Sequence, residues 1–208
     1  MDFDGGIAIL DWLGIVAFTI TGALVASRKQ MDVVGFALLG TVTGIGGGTI
    51  RDILLDIHPL VWIEQPAYLV VCIVTSLVVF FTAHLVHSRM RLLLWADTIG
   101  LALFAVVGSE RALASGSPPL VAILMGIITA CFGGIIRDLL SQERSIIFSR
   151  EIYVTAALAA ASIFVGLQSF IVAREISVVV GVSMGVILRG GALVWGWSLP
   201  RYHSRPPR

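Results

Sequence analysis

Polar positions in this chain are rare and bunched, and the apolar stretches between them are the length of a bilayer. A helix crossing the hydrocarbon core needs roughly 20 apolar residues, and seven stretches qualify. They run from about Ile7 to Ser27, Val33 to Leu55, Pro66 to His87 and Leu92 to Ala114, then Pro118 to Leu140, Glu151 to Ala173 and Ile176 to Leu199. Connections are short, with turns marked by Pro59, Pro66 and Ser117-Pro118-Pro119. The pattern predicts an all-α integral membrane protein of seven transmembrane helices, with residues 200–208 as a cytoplasmic tail. Trp12, Trp62, Trp95, Trp195 and Trp197 fall near span ends, where an aromatic belt would lie.

A second pattern overlies the first. At a constant offset of 86 residues, Thr43 matches Thr129, Gly47 Gly133, Gly48 Gly134, Ile50 Ile136, Arg51 Arg137, Asp52 Asp138 and Leu54 Leu140. The same offset pairs Asp11 with Asp97, Gly14 with Gly100, Phe18 with Phe104, Gly22 with Gly108 and Gly40 with Gly126. Each copy holds three spans, repeat one covering about residues 7–88 and repeat two about 92–173. An odd number of spans turns the second copy upside down, so the sequence predicts two inverted repeats plus a seventh helix, about residues 176–199. Folds of that kind place ion or solute sites near the midplane, at broken helices.

The repeated motif carries the chemistry. Gly46-Gly47-Gly48-Thr49-Ile50-Arg51-Asp52 ends the second span, and Gly133-Gly134-Ile135-Ile136-Arg137-Asp138 ends the fifth. Each glycine costs about 1 kcal/mol relative to alanine inside a helix, so both spans are expected to kink there and release backbone carbonyls toward water. An arginine at mid-membrane costs about 2.5–3.5 kcal/mol on insertion scales, which calls for a carboxylate partner. Adjacent residues on a helix do not face each other. The expected pairs are therefore Arg51 with Asp138, or Arg137 with Asp52, with Asp11 and Asp97 as rival partners. The opposing expectation is that both arginines snorkel to the interface. Arg189, before Gly190-Gly191 in the seventh span, either snorkels or packs and gates. Thr43, Thr49, Thr129, Thr21 and Ser109 are candidate pore-lining hydroxyls, each with the alternative of bonding its own helix backbone.

Composition agrees with the spans. The chain is 57% hydrophobic and 13% charged, with a mean hydropathy of +0.97; soluble domains are about 45–50% apolar and 25% charged. A net charge of +1 with no basic arm gives no basis for nucleic-acid binding. The start, Met1-Asp2-Phe3-Asp4, lacks the basic segment of a signal peptide. Nine Lys and Arg residues fall on one side of the spans and two, Arg111 and Arg174, on the other. That bias predicts an outside N-terminus and a cytoplasmic C-terminus. Cys72, Cys131, His58, His84 and His87 have no metal-ligand spacing, no cofactor motif is present, and GxSxG and HExxH are absent. The chain reads as a non-enzyme.

The twin glycine-Arg-Asp motifs, with Arg150-Glu151-Ile152-Tyr153 and Leu188-Arg189 followed by Trp197-Ser198-Leu199-Pro200, resemble the prokaryotic members of the trimeric intracellular cation (TRIC) channel family. Phe132 stands where the first motif has Gly46, a small departure. The resemblance implies a homotrimer in a bacterial or archaeal plasma membrane. It also implies a potassium-permeable pore in each subunit, lined by the kinked second and fifth spans. The competing expectation is a secondary transporter of a small solute such as an amino acid, since inverted repeats serve transporters too.

Overall fold

The computed structural model describes residues 3–143, 152–170 and 173–198. Its helices are α1 (Phe3–Arg28), α2 (Val33–Leu54), the single-turn α3 (Val61–Glu64), α4 (Ala67–Thr82) and α5 (Arg89–Ala114), then α6 (Pro119–Leu140), α7 (Val154–Ser169) and α8 (Arg174–Trp195). Six are long and apolar enough to cross a membrane, counting the 3₁₀ turn Ala83–Leu85 with α4. The seventh, α7, is apolar but shorter at 16 residues. The protein is a multi-pass integral membrane protein. The predicted sixth span extends over Glu151, Ile171 and Val172, which lie outside the described residues.

Helix boundaries follow local chemistry. Asp32 caps α2 by accepting from the Gly35 N–H at 2.8 Å, and Ser88 caps α5 through the Arg91 N–H at 3.3 Å. Pro119 opens α6, where its missing N–H costs nothing. α8 ends at Gly196, whose φ of 69° is a left-handed cap.

α2 and α6 run as continuous helices through Gly46–Gly48 and Gly133–Gly134, with no interruption that frees backbone carbonyls there. The reason is steric. A Cβ on Gly47 would collide with the Thr129 carbonyl, and one on Gly133 with the Thr43 carbonyl. These glycines let two helix backbones touch, and the contact recovers the packing that missing side chains would otherwise forfeit. Thr43 beside Gly133 and Gly47 beside Thr129 also define an antiparallel crossing.

Other contacts exchange in the same reciprocal way. The Phe18 and Phe104 rings stack with centroids 5.2 Å apart. The Phe104 ring fills the space beside Gly14, and the Phe18 ring the space beside Gly100. α5 is the most enclosed helix, buried along nearly its whole length among α1, α6, α7 and α8. Lipid-type residues such as Leu38, Val70, Phe81, Leu120, Val179 and Ile187 face outward.

Two buried arginine clusters on either side of a glycine crossing

Arg51 and Arg137 are 2% and 0% exposed, so neither snorkels. Each ends the helix that carries it, beyond the α2–α6 crossing. The crossing centres near residues 45 and 131, and at 1.5 Å per residue each arginine lies about 9 Å past it, in opposite directions. The two Arg-Asp motifs therefore stand about 18 Å apart along the bundle. That distance rules out the expected Arg51–Asp138 and Arg137–Asp52 pairs.

The partners are nearer. Arg51 donates from Nε and Nη2 to Asp52 Oδ1 at 2.8 and 2.7 Å. Arg137 donates from Nε to Asp138 Oδ1 at 2.8 Å, and from Nη1 to Asp97 Oδ1 at 2.8 Å and Thr21 Oγ1 at 2.9 Å. The expectation that helix neighbours cannot pair fails because arginine's flexible three-carbon stem can fold its fork around the helix. In a low-dielectric interior the closest carboxylate is the one worth reaching. Of the rival partners, Asp97 is a direct one, whereas Asp11 accepts from Tyr68 Oη at 3.0 Å and lies 4.0 Å from Arg111 Nη2.

The first cluster opens on a small cavity of about 30 Å³, lined by Asp11, Gly48, Thr49, Arg51, Asp52 and Trp62, among others. Gly44, Tyr68 and Thr129 also contribute to its wall. Trp62, on α3, donates its indole N–H to Thr49 Oγ1 at 3.0 Å and so holds the short helix against the cavity. Trp12 stacks on Tyr68 with ring centroids 3.9 Å apart. These two tryptophans are thus built into the site, not into an aromatic belt. The second cluster borders a cavity of about 370 Å³ lined by Val25, Arg28, Met90, Leu93, Arg137, Asp138 and Glu143. Arg28 and Glu143 pair across it at 3.3 Å.

Between the clusters the α2 and α6 backbones meet, Gly47 against Thr129 and Gly133 against Thr43. Thr43 and Thr129 are buried and donate to their own helices, at the carbonyls of Leu39 and Met125. Thr129 still contributes to the wall of the first cavity, whereas Thr43 does not. Thr49 donates to the Ile45 carbonyl at 2.9 Å and lines the first cavity. Ser109 donates to the Ala105 carbonyl at 2.9 Å. Gly46 packs near Ile136, and Gly134 near Tyr153 Oη. Arg189 is fully buried with its Cζ 5.1 Å from the Tyr153 ring centroid, so it packs and does not snorkel. Among the described residues no three His, Cys, Asp or Glu side chains cluster as a metal site requires.

Sequence reasoning missed Tyr68, Trp62 and Arg111. Tyr68 and Tyr153 stand beside the two motif-linked aspartates' clusters but are 85 residues apart, one short of the offset, so a gapless comparison passes over them.

A helical membrane bundle with two buried, charge-compensated clusters, each reaching its own cavity, belongs to the solute- and ion-translocating class of membrane proteins. The profile of a family described as Glycine transporter matches twice, at residues 8–84 and 94–169. The UPF0126 inner membrane protein YadS of Escherichia coli K12 is 38% identical over 93% of this chain and 94% of its own. The TRIC trimeric intracellular cation channel orthologue of Rhodobacter sphaeroides superimposes with a TM-score of 0.90 at 53% identity, covering 92% of this chain and 98% of that one. A further TRIC cation channel, solved to explain conductance, gives 0.86 at 33% identity with full coverage of both chains. The chain belongs to the prokaryotic TRIC channel family and is related to the UPF0126 membrane proteins.

Proposed function

We propose that this protein is a potassium-permeable monovalent cation channel, assembled as a homotrimer with a pore in each subunit. The observation that carries the reading is the pair of cavities, each bordered by a buried Arg-Asp cluster, on either side of the Gly47–Gly133 crossing. Aspartates attract the cation, while the bonded arginines cancel charge that would trap it; conduction needs binding weak enough to release. The arrangement with Thr43 and Thr129 turned to their own backbones corresponds to a closed path. Opening then requires α2 and α6 to part or bend at their glycines, the kink read from the sequence. The two repeats lie inverted about this crossing, with the N-terminus outside and the chain in a prokaryotic plasma membrane.

The test is reconstitution into planar bilayers under asymmetric KCl. Unitary currents reversing near the potassium equilibrium potential are expected. Silent bilayers refute the channel.

A second reading is favoured by the description of the matched family, Glycine transporter. On that reading the same cavities alternate in access to a small amino acid. Saturable counterflow of labelled glycine by liposomes that carry no unitary current would establish it in place of the channel.

A further inference from the structure

Equivalent positions of the two repeats need not stay equivalent, and the arginines have diverged. Both hydrogen-bonding nitrogens of Arg51 end on one oxygen, Asp52 Oδ1, of the next residue on the same helix. Each arginine keeps one buried nitrogen without a partner among the described residues, Nη1 of Arg51 and Nη2 of Arg137, and the Arg51 side chain lines the cavity that also contains Asp11. Among the described residues no bond of Arg51 ties α2 to another helix. Arg137 is held otherwise: Asp138 on α6, Asp97 on α5 and Thr21 on α1 each accept from it. One guanidinium thereby cross-links three helices.

The sequence gives a cause for part of the difference. The position 86 residues after Thr21 is Val107, which is fully buried and has no hydroxyl. The first repeat's arginine has therefore lost the counterpart of the α1 acceptor. Its carboxylate counterpart, Asp11, is engaged by Tyr68 instead.

We propose that Thr21 is a positioning residue that makes Arg137 a fixed strut, and that Arg51 is the arginine that changes partner when the pore gates, moving between Asp52 and Asp11. The inference rests on the channel reading. A planar fork bonded to acceptors on three helices moves only if the helices move together. A fork bonded to one acceptor on its own helix is released by rotation of its own stem. Asp11 lies in the same cavity, so the exchange never strips the guanidinium of a nearby carboxylate.

The test uses the full-length chain in two measurements, single-channel recording and thermal melting. Thr21→Val is expected to change open probability by about tenfold or more, the effect of one lost hydrogen bond to a charged group, and Thr21→Ser to restore it. Val107→Thr is expected to lower open probability with unitary conductance unchanged. Arg137→Lys, which cannot serve three acceptors with the same fork, should lower Tm by roughly 4 °C more than Arg51→Lys. Wild-type open probability in both Thr21→Val and Val107→Thr would overturn the proposal, as would equal losses of Tm in the two lysine variants. Wild-type protein silent in bilayers refutes the channel reading and the gating role with it. The melting comparison then still decides whether Arg137 is the fixed member of the pair.

Discussion

Asp97→Asn is the most informative single substitution. It keeps the shape of a fully buried side chain and removes the charge that faces Arg137 at 2.8 Å. Arg137 keeps Asp138 and Thr21, but its environment has lost one of the two carboxylates bonded to a guanidinium with no exposure to water. Breaking a buried pair by removing one partner costs about 3–5 kcal/mol. For a chain of this size that lowers Tm by roughly 6–20 °C, at about 2–4 °C per kcal/mol. The equivalent substitution in the other repeat is the control. Asp11 lies 4.0 Å from Arg111, whose side chain is 34% exposed, and an amide oxygen can still accept from Tyr68. Asp11→Asn should cost no more than about 1 kcal/mol. The protein carries its own probe: Cys72 and Cys131 are both free and buried, so a thiol-reactive dye in detergent reports their exposure on unfolding. Equal shifts in Tm for Asp97→Asn and Asp11→Asn would refute the claim that the two carboxylates carry different structural weight.

Other outcomes are expected from the same geometry. Gly47→Ala and Gly133→Ala should each abolish current and lower Tm, because the new Cβ meets a backbone carbonyl that cannot yield. Gly48→Ala should raise stability by up to about 1 kcal/mol, since its Cβ would meet only Arg51 Nη2 at an ordinary 3.7 Å; a loss of Tm comparable to Gly47→Ala would contradict this. Trp62→Phe removes the bond to Thr49 and frees α3, and is expected to increase the accessibility of a cysteine introduced at Gly48, in the wall of the same cavity, to a charged thiol reagent. Glu143→Gln breaks only a part-exposed pair with Arg28, worth no more than about 1 kcal/mol, so its Tm should stay within roughly 4 °C of wild type.

The helices and the two motifs were legible in the sequence because lipid imposes a length on apolar runs and makes every intramembrane charge conspicuous. Arg51, Asp52, Arg137 and Asp138 could be singled out that way, and all four are buried. Their pairing could not. Glycine reads as a helix breaker when only its propensity is counted, whereas at Gly47 and Gly133 it admits a neighbouring backbone. That crossing sets the two motifs apart and leaves each arginine to the carboxylates on its own side. Hydroxyls were ambiguous for a related reason: Thr43 and Thr129 are satisfied by their own helix, and only the packing distinguishes them from Thr21, which accepts from Arg137. Tyr68 carries no signal, and Trp62 only that of a span end, until α3 and α4 are in position.

The stack of Phe18 on Phe104 bears on where such a chain comes from. Each ring rests beside the glycine that corresponds to the other ring's own neighbour, so the surface recognises its mirror-register copy. A contact of that kind is isologous, the sort a two-fold dimer makes. One three-helix ancestor able to insert in both directions would already possess the complete contact, with no need for two complementary faces to evolve separately. Joining two such genes would freeze the dimer into one polypeptide. A change in one half would then no longer be forced upon the other, and a threonine at 21 could stand against a valine at 107.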